Sequence, residues 1–151
     1  HSDFKKTDLI SQKIINKRKR KRIETTFELI NIFSSDSVSN YGTKFFARLF
    51  QAIRIEVNDE LNSLRTFLIQ TKSLLKRGGR LVVISYHSHE DRLVKKFMNY
   101  GSFLNTPEKD FFGHQKNYFK QLTKKPIRPS KDELTNNNKS RSAKLRICEK
   151  I

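Results

Sequence analysis

Residues 85–92 read Ser-Tyr-His-Ser-His-Glu-Asp-Arg, so hydroxyl, imidazole, carboxylate and guanidinium groups crowd into eight positions. Imidazole exchanges protons near neutrality and carboxylates orient or accept them, which makes such a run able to do acid–base work. The same residues could also do no more than start a helix. Ser88 suits an N-cap, and Glu90 and Asp91 suit the positive end of a helix dipole. A metal reading of His87-x-His89 with Glu90 is poorly supplied, because a defined zinc site needs further ligands and His1 and His114 are the only other histidines. A metal-dependent hydrolase on this pair predicts stoichiometric zinc, and none is expected.

A second constellation runs from Asn136 to Arg146 as Asn-Asn-Asn-Lys-Ser-Arg-Ser-Ala-Lys-Leu-Arg. Short amide and hydroxyl side chains interleaved with long cations suit phosphate and sugar contacts, the short ones approaching the backbone and the long ones neutralising it. A solvated loop leading into an exposed strand is the plainer alternative. The six consecutive basic residues from Lys17 to Arg22 carry less information. Such a run serves as a solvated turn, a phosphate contact or a localisation tract.

The elements that must position these groups follow from periodicity. Short helices over residues 3–33 are separated by the basic block, with Thr25 and Glu28 forming a capping box for the second. Ser34 to Gly42 reads as a linker with a boundary at or just after it. Phe46, Leu49, Phe50, Ile53 and Val57, then Leu61, Leu64, Leu68 and Leu75, recur at helical intervals, with Asn58 as an N-cap between two helices. Lys76 and Arg77 suit a last helical turn closed by Gly78 and Gly79. The aliphatic run Leu81 to Ile84 predicts a strand buried on both faces, as in a parallel sheet. A helix over Asp91 to Tyr100 with Leu93, Val94 and Phe97 inward follows, completing half of a doubly wound α/β pattern. In such sheets ligands bind beyond the carboxyl ends of strands, which is where Ser85 to Arg92 lie. Beyond an aromatic-rich connection (residues 101–117), a strand is expected over Tyr118 to Thr123 and a helical turn over Pro129 to Leu134. A polar loop at Asn136 to Asn138 and an edge-type strand over Ala143 to Cys148, with Leu145 and Ile147 alternating against Lys144 and Arg146, complete the pattern.

The chain has 151 residues with 32 Lys and Arg against 15 Asp and Glu, a formal charge of +17. That excess favours phosphate polyanions or an anionic surface as partner. No apolar stretch approaches the length of a membrane span, no secretory signal precedes the first helix, and the single cysteine, Cys148, excludes an internal disulfide framework and suits a reducing compartment. Apolar residues make up only 35%, so the core is small or shared, and the opening His1 is expected of a fragment. No glycine-rich loop follows a strand, so the usual dinucleotide or phosphate cradle is missing.

Three stretches taken in order, Phe50 to Leu61 (FQAIRIEVNDEL), Gly78 to Arg92 (GGRLVVISYHSHEDR) and Ser140 to Arg146 (SRSAKLR), resemble the carboxyl-terminal half of the RsmH, or MraW, family of methyltransferases. The agreement runs from about residue 43 to the end. The resemblance implies an α/β fold, a partial class I (Rossmann-like) methyltransferase domain over residues 57–151, preceded at 1–56 by the end of an inserted all-helical domain. It implies S-adenosylmethionine as cofactor, with the residues that hold it in a missing amino-terminal half. It also implies methylation of cytosine N4 in 16S ribosomal RNA within the small ribosomal subunit, in the cytoplasm, with no membrane and no metal. By the same resemblance Ser85, Tyr86 and His87 are the catalytic candidates, hydrogen-bonding a base edge, with His87 able to take a proton. Arg92, Asn137, Arg141, Ser142, Lys144 and Arg146 are the candidates for RNA contact, Arg92 having Glu90 or Asp91 as alternative partners. His89 replaces an aliphatic residue usual in the family, and Lys139 replaces a frequent arginine, keeping charge but losing bidentate geometry. The fragment alone is expected to be catalytically silent. The rival reading is a non-enzymatic RNA-binding or ribosome-associated module.

Overall fold

The structure is a computed structural model that describes residues 4, 7–34, 41–104 and 106–151. The greater part of the expected linker lies outside the described residues. The chain divides into two compact units, His1–Asn58 and Asp59–Ile151.

The first unit is helical: α1 (Thr7–Arg20), α2 (Thr26–Ser34) and α3 (Thr43–Val57). Its core gathers Leu29, Phe33 and Leu49, with Ile10, Ile14, Phe45 and Phe46 packed against them. Phe33 is fully buried and meets the edges of Tyr41, Phe45 and Phe46. Helices on both sides of the expected linker share this core, so the division falls after Asn58 and not at Ser34 to Gly42. Of the basic block only Lys21 and Arg22 lie between helices. Lys17 to Arg20 form the last turn of α1, where the negative end of the helix dipole favours cations. The capping box forms as read: the Glu28 N–H donates to Thr25 Oγ1 at 3.1 Å, and the Thr25 N–H donates to the Glu28 carboxylate at 3.3 Å. Backbone donation from Glu24, together with Lys21 at 2.9 Å, holds the Glu28 carboxyl down at about 2.

The second unit holds α4 (Glu60–Leu74), β1 (Arg80–Ser85), α5 (Ser88–Tyr100), β2 (Phe119–Gln121), α6 (Lys131–Asn136), a 3-10 turn at Asn138–Ser142 and β3 (Lys144–Lys150). Asn58 does not cap α4. Its N–H donates back to the Arg54 and Glu56 carbonyls, and Asp59, in the left-handed region at φ 49°, precedes α4. Lys76 and Arg77 also fall beyond the helix. They belong to a tight turn closed by the Gly79 N–H on the Lys76 carbonyl at 2.9 Å, with Gly78 at φ 79°.

The sheet corrects the sequence reading most. Its order is β1-β3-β2, and β3 runs antiparallel to both neighbours. The carboxyl-terminal strand expected near an edge is therefore the central one, and the aliphatic strand expected inside a parallel sheet is an edge. Because β1 and β2 are each antiparallel to β3, they are parallel to one another, and α5 crosses over between them as in a βαβ unit. Leu81 pairs with Cys148 and Val83 with Arg146 on the face covered by helices. There Leu68, Val94, Phe97, Met98 and Phe119 close the core. The opposite face is open: Val82 and Ile84 are 54% and 55% exposed. Burial of Cys148 pushes its thiol up to about 12, so it behaves as a small apolar side chain.

Phase matters on β3. Of the alternating residues, Leu145 and Ile147 lie on the open face while Arg146, 6% exposed, faces the helices. A guanidinium tolerates that position only with a partner, and α5 supplies one.

Candidate functional site

Ser85 ends β1 and α5 begins at Ser88, so the chain turns over within Tyr86 and His87. His87, rather than Ser88, is the N-cap. Its Nδ1 accepts from the Glu90 N–H at 3.3 Å, while Glu90 Oε2 accepts from the N–H groups of Tyr86 at 2.8 Å and His87 at 3.3 Å. This reciprocal arrangement is a capping box with imidazole in place of hydroxyl. It fixes the backbone where the strand releases Tyr86 to solvent.

The cap also decides what the imidazole can do. A nitrogen that accepts a hydrogen bond carries no proton, so the proton of the neutral ring sits on Nε2. Nε2 is buried, lies 3.3 Å from Glu90 Oε1 and 3.9 Å from Glu60 Oε2, and makes no hydrogen bond. Glu60, His87 and Glu90 thus bring their polar atoms together as metal ligands do. A cation on Nε2 would require the other tautomer, and that tautomer removes the cap on α5. Proton uptake by the neutral ring would fall on Nδ1 and would likewise release that cap. His89 lies with its ring 6.1 Å from that of His87.

Ser85 is 2% exposed and its hydroxyl points to the Lys144 carbonyl at 3.5 Å, across the β1-β3 pair. Tyr86 is 55% exposed and is the one member of the trio open to a ligand. Beside it a cavity of about 260 Å³ opens on the uncovered sheet face, lined by the apolar Ile84, Ile127, Pro129 and Leu145 and by the polar Arg128, Glu133 and Asn137. Ile127 reaches this place by pairing with Leu145 through two backbone hydrogen bonds of 2.9 Å. The sequence gives no cue to that pairing, and Arg128 was not singled out. Pro129 is expected only to open a helical turn, and it is the bridge to β3 that brings Ile127 and Arg128 to the cavity.

The RNA-contact candidates separate into two groups. Arg92, Asn137, Arg141 and Ser142 are exposed. Lys144 and Arg146 are turned inward onto Asp91: Arg146 Nε donates to Oδ1 at 2.6 Å and Nη2 to Oδ2 at 3.2 Å, and Lys144 Nζ donates to Oδ2 at 3.2 Å. Burial alone would raise the Asp91 carboxyl, but the hydrogen bonds from Arg146 and Lys144 outweigh it and hold it below the usual aspartate range. Arg146 is thus nearly buried, and it is Arg146, not Arg92, that partners Asp91. Ser130 caps α6 by accepting from the Glu133 N–H at 3.1 Å, and the 3-10 turn behind it buries the Ser140 hydroxyl on the Asn137 carbonyl at 2.8 Å. Arg141 and Ser142 stay outside that turn. The polar loop expected at Asn136 to Asn138 is thereby ordered, and its Asn137 amide donates to Glu133 at 3.0 Å.

β1, α5 and the segment after Ser130 thus bring a capped polar turn at the carboxyl end of β1 and an exposed basic loop into the same unit. The chain belongs to the MraW methylase family, whose profile matches residues 2–151. It is 49% identical over 141 residues to "Ribosomal RNA small subunit methyltransferase H" of Flavobacterium psychrophilum, covering 93% of this chain and 48% of that protein. It is 43% identical over all 151 residues to the protein of the same name from Christiangramia forsetii, covering 50% of it, and 48% identical over 141 residues to that of Amoebophilus asiaticus. The chain spans about half the length of the curated relatives it matches.

Proposed function

We propose that the chain is the carboxyl-terminal portion of an S-adenosylmethionine-dependent methyltransferase acting on cytosine N4 of 16S ribosomal RNA. In this reading Asp59–Ile151 supplies the last strands of a class I, Rossmann-like sheet, and His1–Asn58 is the end of an inserted helical domain. The observation that carries it is the end-to-end match to small-subunit rRNA methyltransferases, with the most polar motif of the match placed at the carboxyl end of β1.

The cofactor is not fitted by these residues. Among the described residues the glycines at positive φ are Gly78, Gly101 and Gly113, and none follows a strand. In this reading S-adenosylmethionine is held by the other half of the protein. What the present residues do is hold the acceptor. A cytosine amine is a poor nucleophile because its lone pair is conjugated with the ring, so alignment with the donor dominates. Exposed Tyr86 at the mouth of the cavity is the group that meets the base, and His87 and Glu90 position it through its backbone. Arg92, Asn137, Arg141 and Ser142 hold the RNA, whose target base leaves its stack to be reached.

The test is a chimaera in which this chain replaces the matching half of the Flavobacterium psychrophilum relative, assayed with labelled donor and small ribosomal subunits. Methyl groups mapped by mass spectrometry to cytosine N4 of 16S RNA are expected, and the 151-residue chain alone is expected to transfer none. A chimaera that folds, by circular dichroism, yet leaves the RNA unmodified overturns the proposal, as does transfer by the isolated chain.

A further inference from the structure

The connection between α5 and β2 ends in a short hairpin that holds two aromatic rings out in solvent. Phe111 is 97% exposed and Phe112 80% exposed. Their centroids lie 5.6 Å apart at 89°, edge to face, which leaves ring faces uncovered. Other aromatics of the same region fold inward, Phe119 being buried and Phe103 packed on the core.

The hairpin is built to keep them there. Lys109 bridges Gln115, the Lys116 N–H donates to the Glu108 carbonyl at 2.8 Å, and the Asp110 N–H to the His114 carbonyl at 2.9 Å. Asp110 Oδ1 accepts from the N–H groups of Phe112 at 2.9 Å and His114 at 2.8 Å. Gly113 closes the turn at φ 84°. The base of the hairpin is anchored by Glu108, which accepts from the Tyr118 hydroxyl at 2.5 Å and pairs with Lys72 at 3.4 Å. Two large apolar groups fixed in water are ready for a partner without further ordering.

The surroundings say which partner. Residues 109–125 carry five lysines against one aspartate, and that aspartate is taken up by the turn's own N–H groups. Lys109, Lys116, Lys120, Lys124 and Lys125 are all exposed. Aromatic faces interleaved with lysines match unpaired nucleotides, whose bases stack while their phosphates meet cations. We propose that Phe111 and Phe112 form a stacking platform for unpaired bases of RNA, a contact separate from the target-base crevice. The proposal rests on the RNA-substrate reading above but is read by binding, without methyl transfer.

The experiment uses the 151-residue chain and a short single-stranded oligoribonucleotide carrying 2-aminopurine, whose fluorescence falls on stacking. Phe111→Ala/Phe112→Ala and Phe111→Leu/Phe112→Leu are compared with the unaltered chain across a salt series, on duplex RNA and on vesicles containing anionic lipid. Both variants keep the unfolding midpoint, because the rings touch nothing in the core. Each is expected to lose the quenching and to bind the single strand on the order of tenfold more weakly per ring. The salt slope and the affinity for duplex remain unchanged, since phosphate contacts set both. A leucine variant that retains quenching and affinity overturns the proposal. So does a loss confined to vesicle binding, which would make the hairpin a membrane wedge. A silent chimaera with these stacking losses intact refutes the catalytic reading and leaves this one standing.

Discussion

Arg146 is the side chain whose environment most constrains interpretation. Removing its partner strands a guanidinium that is almost wholly covered, so Asp91→Asn is expected to cost about 3–5 kcal/mol in urea unfolding. Because the folded carboxyl of Asp91 lies below its ordinary value, its contribution is complete at pH above the unfolded aspartate pKa of about 3.9 and is lost as pH falls through the folded one. The gap between the variant and the unaltered chain should therefore narrow as pH falls below the unfolded aspartate value, and a gap that stays constant through acid unfolding contradicts the assignment. Little of this was legible beforehand. The run from Ser85 to Arg92 stood out because its groups are chemically loud, but which of them act on neighbours and which on a ligand depends on partners far along the chain. His87 caps a helix although imidazole is not among the usual capping groups, so a reader of the sequence turns first to Ser88.

At the scale of elements, local rules served where local forces decide. The Thr25 capping box, α5 and the short helix after Ser130 follow from side chains reaching the nearest backbone. Strand neighbours are not local, and there the reading erred: Leu81 to Ile84 predicts cover on both sides and the described residues cover one. Alternation on β3 gave the period but no phase, and a paired arginine occupies the inward row. One glycine carries more than permissive backbone. Gly101 ends α5 at φ 64°, and a Cβ there would lie 2.3 Å from Tyr118 Cδ2. Gly101→Ala combines left-handed strain with a clash against a ring that Glu108 and Lys72 hold in place. It is expected to cost about 2–4 kcal/mol in denaturant unfolding, while Gly113→Ala, open to solvent at a similar φ, costs only about 1–2.

For the whole molecule, the charge favours a polyanion or an anionic surface as partner, and the small apolar share suits a core that is small or open to completion by further surface. The open row of Val82, Ile84 and Ile127 is where that completion is due. In its absence the row is expected to drive self-association, and Val82→Thr/Ile84→Thr should lower the sedimentation-derived association constant at least tenfold without lowering the melting temperature. Equal association in both proteins would place the contact elsewhere. The sheet order has one more consequence, for the moment of birth. Both outer strands leave the ribosome before the strand that joins them, so β1 has no mate among these elements until Lys144–Lys150 is synthesised. Until then the apolar residues of β1 have no strand partner within this unit, and exposure of that kind is where misassociation competes with folding.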